Sequence, residues 1–375
     1  MSGVARKKIT EMFERAGVRV GGDAPRDLRV LDERLFDRVA RDGSLGFGDA
    51  YVDGWWECDA LDALFHAVAL APKSPSSGLG RLVNRARYQF TNLQSKARAR
   101  LVVDAHYDLG NDFFAAWLDP KMQYSCAYWS DAEDLDAAQR AKLELVASKL
   151  HASPGDRVLE IGCGWGGLAE HLARERGCSV TALNISDAQI AGARERCAGL
   201  DVEVLKRDYR DVRGQWDKVV SIAMLEAVGK RNLRTYMERV HAVMKPSGFF
   251  VLHTIGSDLT RLHPDRWITE RIFPNGYIPS AAEITQSAEG LFALEDWHSL
   301  GPDYDLTLMA WHERFEAAWG AIQRLSPRYD ERFRRRWRYY LLSCAGTFRA
   351  RAMQLWQLVL TRHRSGTVWP RVLRR

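Results

Sequence analysis

Arg157-Val-Leu-Glu-Ile-Gly-Cys-Gly-Trp-Gly-Gly167 is the stretch that decides the fold. An apolar, β-branched run ends in closely spaced glycines, which allow a tight turn and let a ligand approach the backbone. Outward from it, residues 157–256 alternate strand and helix. The strands read RVLEIG, SVTALNI, DVEVLKRD, WDKVVSIAM and FFVLHTIG, with helical periodicity through Glu170, from Asp187 and through Tyr236. Apolar strands alternating with amphipathic helices predict parallel strands joined by right-handed crossovers, an α/β doubly wound sheet. After Ser257 the pattern becomes mixed and then largely helical, with aromatic-rich stretches over 311–319 and 332–360.

A chain of 375 residues, 46% hydrophobic and 27% charged, has ordinary globular composition. Residues 1–71 read as a small helical domain carrying Tyr51-Val-Asp-Gly-Trp-Trp-Glu-Cys-Asp59. Residues 72–100 read as a linker: Pro72-Lys-Ser-Pro-Ser-Ser-Gly-Leu-Gly80 cannot sustain a helix, and Arg81, Arg85, Arg87, Lys96, Arg98 and Arg100 follow among apolar residues. That basic segment fits either a solvated connecting helix or an amphipathic surface for anionic headgroups. Residues 101–375 form the second, larger domain. The apolar run at 64–71 is too short for a membrane span, and the N-terminus lacks a secretory signal, so the cytoplasm is expected. The six cysteines show no metal-ligand spacing, and no metal is expected. The net charge of +6 decides little, whereas thirteen tryptophans fit either a large aromatic core or an apolar ligand.

A glycine fingerprint alone fits NAD, FAD or S-adenosylmethionine. Glu160, two residues before Gly162, resembles motif I of class I methyltransferases, in which this acid helps place the ammonium of the methionine moiety. Gly162, Gly164 and Gly166 form the turn. Asn184 and Gln189 close the second strand as polar candidates for the ribose, while Asp187 is expected in a helical first turn capped by Ser186. Asp208 ends the third strand, where it would receive the adenine amino group. Tyr124, Ser125 and Tyr209 complete the expected cofactor-binding set.

The acceptor side carries longer signatures: His106-Tyr-Asp-Leu-Gly-Asn-Asp112, Met122-Gln-Tyr-Ser-Cys-Ala-Tyr-Trp129, Ile272-Phe-Pro-Asn-Gly-Tyr-Ile-Pro-Ser280, Asp303-Tyr-Asp-Leu-Thr-Leu308 and Cys344-Ala-Gly-Thr-Phe-Arg-Ala-Arg351. In this order they resemble the cyclopropane-fatty-acyl-phospholipid synthases, relatives of the mycolic acid cyclopropane synthases. The resemblance runs over 101–362, and 51–59 extends it to the N-terminal domain. It implies a class I S-adenosylmethionine-dependent methyltransferase domain, Rossmann-like and elaborated around a lipid pocket. It also implies methyl transfer to a cis double bond of a phospholipid acyl chain, then deprotonation and ring closure.

By the same resemblance, bound bicarbonate is the base, held by Cys126, Glu226, His253, Tyr304 and the backbone of Ile255, and Cys344 stands at a motif assigned a catalytic cysteine. Read as residues alone, His253 also fits a satisfied core histidine, Cys126 and Cys344 small buried hydrophobes, and Glu226 a helix cap. One position departs from the family: Ala227 stands where a histidine often follows the glutamate. His106, Tyr107 and Asp108, with Asn111, resemble a loop that closes over the cofactor.

The basic linker, the 332–338 arginines, and Arg362, Arg364, Arg371, Arg374 and Arg375 predict reversible association with an anionic membrane surface at its inner face. No base-reading module accompanies the charge, so nucleic acid is not an expected partner; a homodimer is expected from the resemblance. Two other outcomes fit these motifs: an acyl C-methyltransferase giving methylene or methyl-branched lipids, and a non-catalytic lipid-binding protein.

Overall fold

Sequence order does not divide this chain; contacts do. The computed structural model describes residues 2–72, 109–260 and 265–370, and these fall into two units. The expected boundary near 71 is crossed in the first unit, where residues 265–274 and 304–353 cluster with the N-terminal segment. Most of the basic linker, the His106–Asp108 motif and Arg371, Arg374 and Arg375 lie outside the described residues.

The first unit contains the helices Ser2–Arg15, Arg34–Asp42, Ser44–Val52 and Leu61–Leu70, with a short antiparallel pair of β1 (Arg29–Val30) and β2 (Trp56–Glu57). The helix Glu331–Arg349 starts at Asp330, whose side chain accepts the Phe333 amide, and buries Phe333, Trp337, Tyr340, Leu341 and Phe348. Its Gly346 lies so close to the Leu61–Leu70 helix that a Cβ would stand 2.2 Å from the Asp62 carbonyl oxygen. The Arg349 guanidinium joins Asp62 to Asp305. An apolar helix face far along the chain thus completes the N-terminal core. Phe47 stacks on Trp56 at 4.2 Å, and Tyr51 and Tyr339 pack beside them, so these aromatics are core. Arg332, Arg334 and Arg335 are paired with Asp53, Glu316 and Glu57. The proposed anchoring stretch is therefore partly spent inside the unit.

The second unit is built on seven strands: β3 (Arg157–Ile161), β4 (Ser179–Asn184), β5 (Val202–Lys206), β6 (Trp216–Ile222), β7 (Met244–Gly256), β8 (Phe292–Ser299) and β9 (Gln354–Arg362). Their order is β5-β4-β3-β6-β7-β9-β8. The first five are parallel, as expected, and β9 runs antiparallel to both β7 and β8. Alternate residues feed opposite layers: Leu159, Val219 and Phe250 face one apolar cluster, and Val158, Val220 and Val251 the other.

One expectation fails here: 354–360, read with a helical tail, is strand. β9 is interior to the sheet and buried on both faces, which erases the period-two signature that marks a half-exposed strand. Because the chain leaves β3 toward β4 and β5 and then returns to β6 and β7, a crevice opens at the carboxyl ends of β3 and β6. Among the described residues no helix is long and apolar enough to cross a membrane.

Candidate active site

That crevice holds a cavity of roughly 180 Å³, walled by the ends of four neighbouring strands and by residues 122–125. Of the expected cofactor residues, Tyr124, Ser125, Glu160, Gly162, Gly164, Asn184, Gln189, Asp208 and Tyr209 line it. Gly162 has φ 87°, and a Cβ there would stand 2.9 Å from the Met224 side chain on the opposite wall. Gly166 is off the wall. It has φ 80°, caps the helix Gly167–Arg176 and packs against Ala193, so its role is in joining helices rather than in touching a ligand.

Glu160 is buried, and its Oε2 accepts no hydrogen bond. Loss of hydration raises its carboxyl to about 8, against the opposing pull of the Lys142 ammonium. A dehydrated carboxyl oxygen without a donor, on the wall of this cavity, fits a cation such as an ammonium, whose charge favours the ionised form. Asn184 Nδ2 bridges the Gly164 carbonyl (3.2 Å) and Gln189 Oε1 (3.0 Å), bracing the glycine turn. Ser186 caps the helix Asp187–Arg196 as expected, with Asp187 in its first turn. Asp208 is held by the Arg210 guanidinium at 2.7 and 2.8 Å, and the Tyr209 phenol is dry and pushed up to about 12 by burial.

Several residues on or under this wall were not expected. Trp165 lines the cavity and donates from Nε1 to Asn111 Oδ1 at 2.8 Å, while Asn111 Nδ2 donates to the Ala188 carbonyl. Gln123 also lines it. Lys142, on the helix Leu135–Leu150, has no exposure at all. A signal for it exists: seven residues after Leu135 and three before Leu145, it falls in the apolar stripe of its helix.

A second group lies at the ends of β6 and β7. The turn Leu225–Ala227 brings Glu226 to Ile255, whose backbone N–H donates to Glu226 Oε1 at 2.6 Å. Glu226 Oε2 is buried without a donor, and burial raises the carboxyl to about 6. His253, two residues earlier on β7, is wholly buried; its Nε2 has no partner, and Gln357 Nε2 lies 3.4 Å from its Nδ1. Burial, then the charges of Lys142, Lys149 and His298, keep its ring neutral. The Cys126 thiol is buried beside the Ala127 and Leu300 carbonyls, at 3.2 and 3.9 Å. Ala227, the departing position, is exposed on the cavity wall.

Tyr304 and Cys344 belong to the first unit. The Tyr304 ring packs on Phe348 at 4.7 Å and edge-on to Trp311 at 6.0 Å. The Cys344 thiol is pushed up to about 12 by burial and stays protonated at neutral pH.

Residues 94–358 match the family model for mycolic acid cyclopropane synthetase. The chain is similar to cyclopropane-fatty-acyl-phospholipid synthase of Escherichia coli (strain K12), 52% identical over 94% of this chain and 92% of that protein. It is 35% identical to the tuberculostearic acid methyltransferase UfaA1 of Mycobacterium tuberculosis, over 92% of this chain and 86% of that one. Among solved structures, the mycolic acid cyclopropane synthase CmaA1 complexed with SAH and CTAB aligns with a TM-score of 0.65 and 29% identity, over 70% of this chain and 98% of that one.

Proposed function

This chain belongs to the mycolic acid cyclopropane synthetase family and is a methyltransferase of the class I fold, and on that premise we propose that it converts cis double bonds of phospholipid acyl chains into cyclopropane rings. The observation that carries the reading is the undonated Oε2 of buried Glu160 on the cavity wall. It supplies the charge that the ammonium of S-adenosylmethionine needs. Asn184 and Gln189 serve the ribose, Asp208 and Tyr209 the adenine end, and Tyr124 and Ser125 the opposite wall; Gly162 and Gly164 let the backbone approach. S-adenosylmethionine supplies an electrophilic methyl on a sulfonium.

An isolated alkene is a weak nucleophile, so the site must exclude water and offer π-rich or negative surface to developing positive charge. Net, one methyl carbon is added as a bridging CH₂, and one proton leaves. Bicarbonate supplies the base for that proton. The residues of the second unit that would hold it are Glu226, His253, the Ile255 amide and Cys126; the resemblance adds Tyr304, which belongs to the first unit. The undonated Glu226 Oε2 and the unpartnered, neutral His253 Nε2 fit a small oxyanion that both accepts and donates hydrogen bonds. Work at the inner face of an anionic membrane, from the cytoplasm and as a homodimer, is part of this proposal.

Incubation with labelled S-adenosylmethionine and a cis-unsaturated phospholipid, followed by acyl analysis, tests the reading; proton NMR should show the ring methylene. Similarity to a protein named as a tuberculostearic acid methyltransferase favours one second reading, a methylene or methyl-branched product, and the same spectrum separates them. Binding of both ligands without turnover would instead favour a non-catalytic lipid-binding protein.

A further inference from the structure

Lys142 has no part in the chemistry above, yet its amine is fully buried, and burial lowers it to about 8, so that it is still mostly charged at neutral pH. Burying a charge costs several kcal/mol unless it is well paired. Here Nζ donates to Gln123 Oε1 at 2.5 Å and to Ser125 Oγ at 3.0 Å. One turn earlier, Gln139 Nε2 donates to the carbonyls of Gln123 (3.3 Å) and Ser125 (2.9 Å). Two side chains of one helix therefore grip the backbone and side chains of a strip whose Gln123, Tyr124 and Ser125 form cavity wall. Asp119 ties the near end of that strip, accepting the amides of Lys121 and Gln123.

The charged and titratable groups that face Lys142 are Asp119, Cys126 and Glu160, and its own charge also reaches His253. Those that face Glu160 are Lys142, Cys163 and Cys197.

We propose that Lys142 is a positioning residue for cofactor binding: its hydrogen bonds to Gln123 and Ser125 hold the 123–125 strip as cavity wall, and its side chain faces Glu160 beneath the same wall. The proposal rests on the S-adenosylmethionine reading of the cavity. Burial raises Glu160 while Lys142 and the Ala169 amide pull it down, which leaves it at about 8, so below the point where Lys142, itself lowered to about 8 by burial, gives up its proton, loss of the lysine lifts Glu160 further. Affinity for a cation rises with pH until Glu160 is ionised, and the midpoint of that rise then moves to more alkaline pH. Each unit of movement is about tenfold in affinity at pH values below both midpoints.

The test is calorimetric titration with S-adenosylhomocysteine across roughly pH 6–9, on wild type, Lys142→Met, Lys142→Gln and Glu160→Gln. Lys142→Gln keeps a hydrogen-bond donor and loses the charge. Both lysine variants are expected to bind about tenfold or more weakly near neutral pH with an alkaline-shifted midpoint, and Glu160→Gln to lose the pH dependence. A wild type that binds nothing at any pH overturns the cofactor reading itself. A binding wild type whose folded lysine variants keep its midpoint overturns the role of Lys142 alone. Should the lysine variants not fold, thermal melts of Lys142→Met with Glu160→Gln decide: removing charge and counter-charge together is expected to restore stability. No recovery means that Lys142 serves the fold only, and the proposal falls.

Discussion

Glu226 and Ile255 stand 29 residues apart in sequence and are joined by a 2.6 Å hydrogen bond from the Ile255 amide to the Glu226 carboxylate. The bond closes the ends of β6 and β7 over a carboxyl that is dehydrated yet has one oxygen undonated. Such a group costs stability, and in the function proposed above it serves the reaction.

Glu226→Gln tests that trade directly. The folded carboxyl titrates near 6, above its usual 4.5, so its contribution to stability is fully present below about pH 4.5 and lost as pH rises through 6. A neutral amide avoids that loss. The variant is expected to gain about 2 kcal/mol at pH 7.5, with no gain below pH 4.5, and to lose roughly a hundredfold or more in turnover. Chemical denaturation at the two pH values and an acyl-product assay check both halves.

Gly167→Ala probes the seam between the glycine turn and the 121–125 strip. Its Cβ would meet Gln123 Nε2 at 2.3 Å and the Lys121 carbonyl at 2.4 Å. The strip must shift, and the expected cost is about 1–3 kcal/mol, with weaker binding of S-adenosylhomocysteine. Thermal melts beside calorimetry measure both; unchanged affinity would detach the strip from the cavity wall's function.

Cys344→Ser is expected to keep most activity. A thiol pushed up to about 12 carries almost no thiolate at neutral pH and offers no nucleophile there. The pH–rate profile of wild type should accordingly show no rising limb from this group below pH 9. A serine variant that folds normally but is inactive contradicts this.

Ala227→His places at this exposed position of the cavity wall the imidazole that the resemblance leads one to expect. The substitution is expected to be tolerated. Loss of most turnover in a well-folded variant would show that the imidazole disturbs the site.

Activity on anionic vesicles is expected to fall as ionic strength rises, since each basic residue near such a surface contributes about 1 kcal/mol that salt screens. Arg332, Arg334 and Arg335 already have internal partners, so charge reversal at exposed Arg364 should weaken vesicle binding more than reversal at Arg334. Co-sedimentation at low and high salt reads both effects.

The sequence alone determined the five parallel strands, the glycine turn after β3 and the neighbourhood of Glu160, Asn184, Gln189 and Asp208. Their signals are local: periodicity, glycine spacing and strand ends are written within a few residues of one another. Only the tertiary structure decided that 304–353 completes the N-terminal core, that 354–362 is an inner strand, and that Gly166 supports packing rather than the cavity wall. It also decided that the Lys142 ammonium lies beneath that wall. Each of these depends on what covers a surface after distant segments meet, and burial on two faces or a hydrogen bond across the fold leaves little trace in local order.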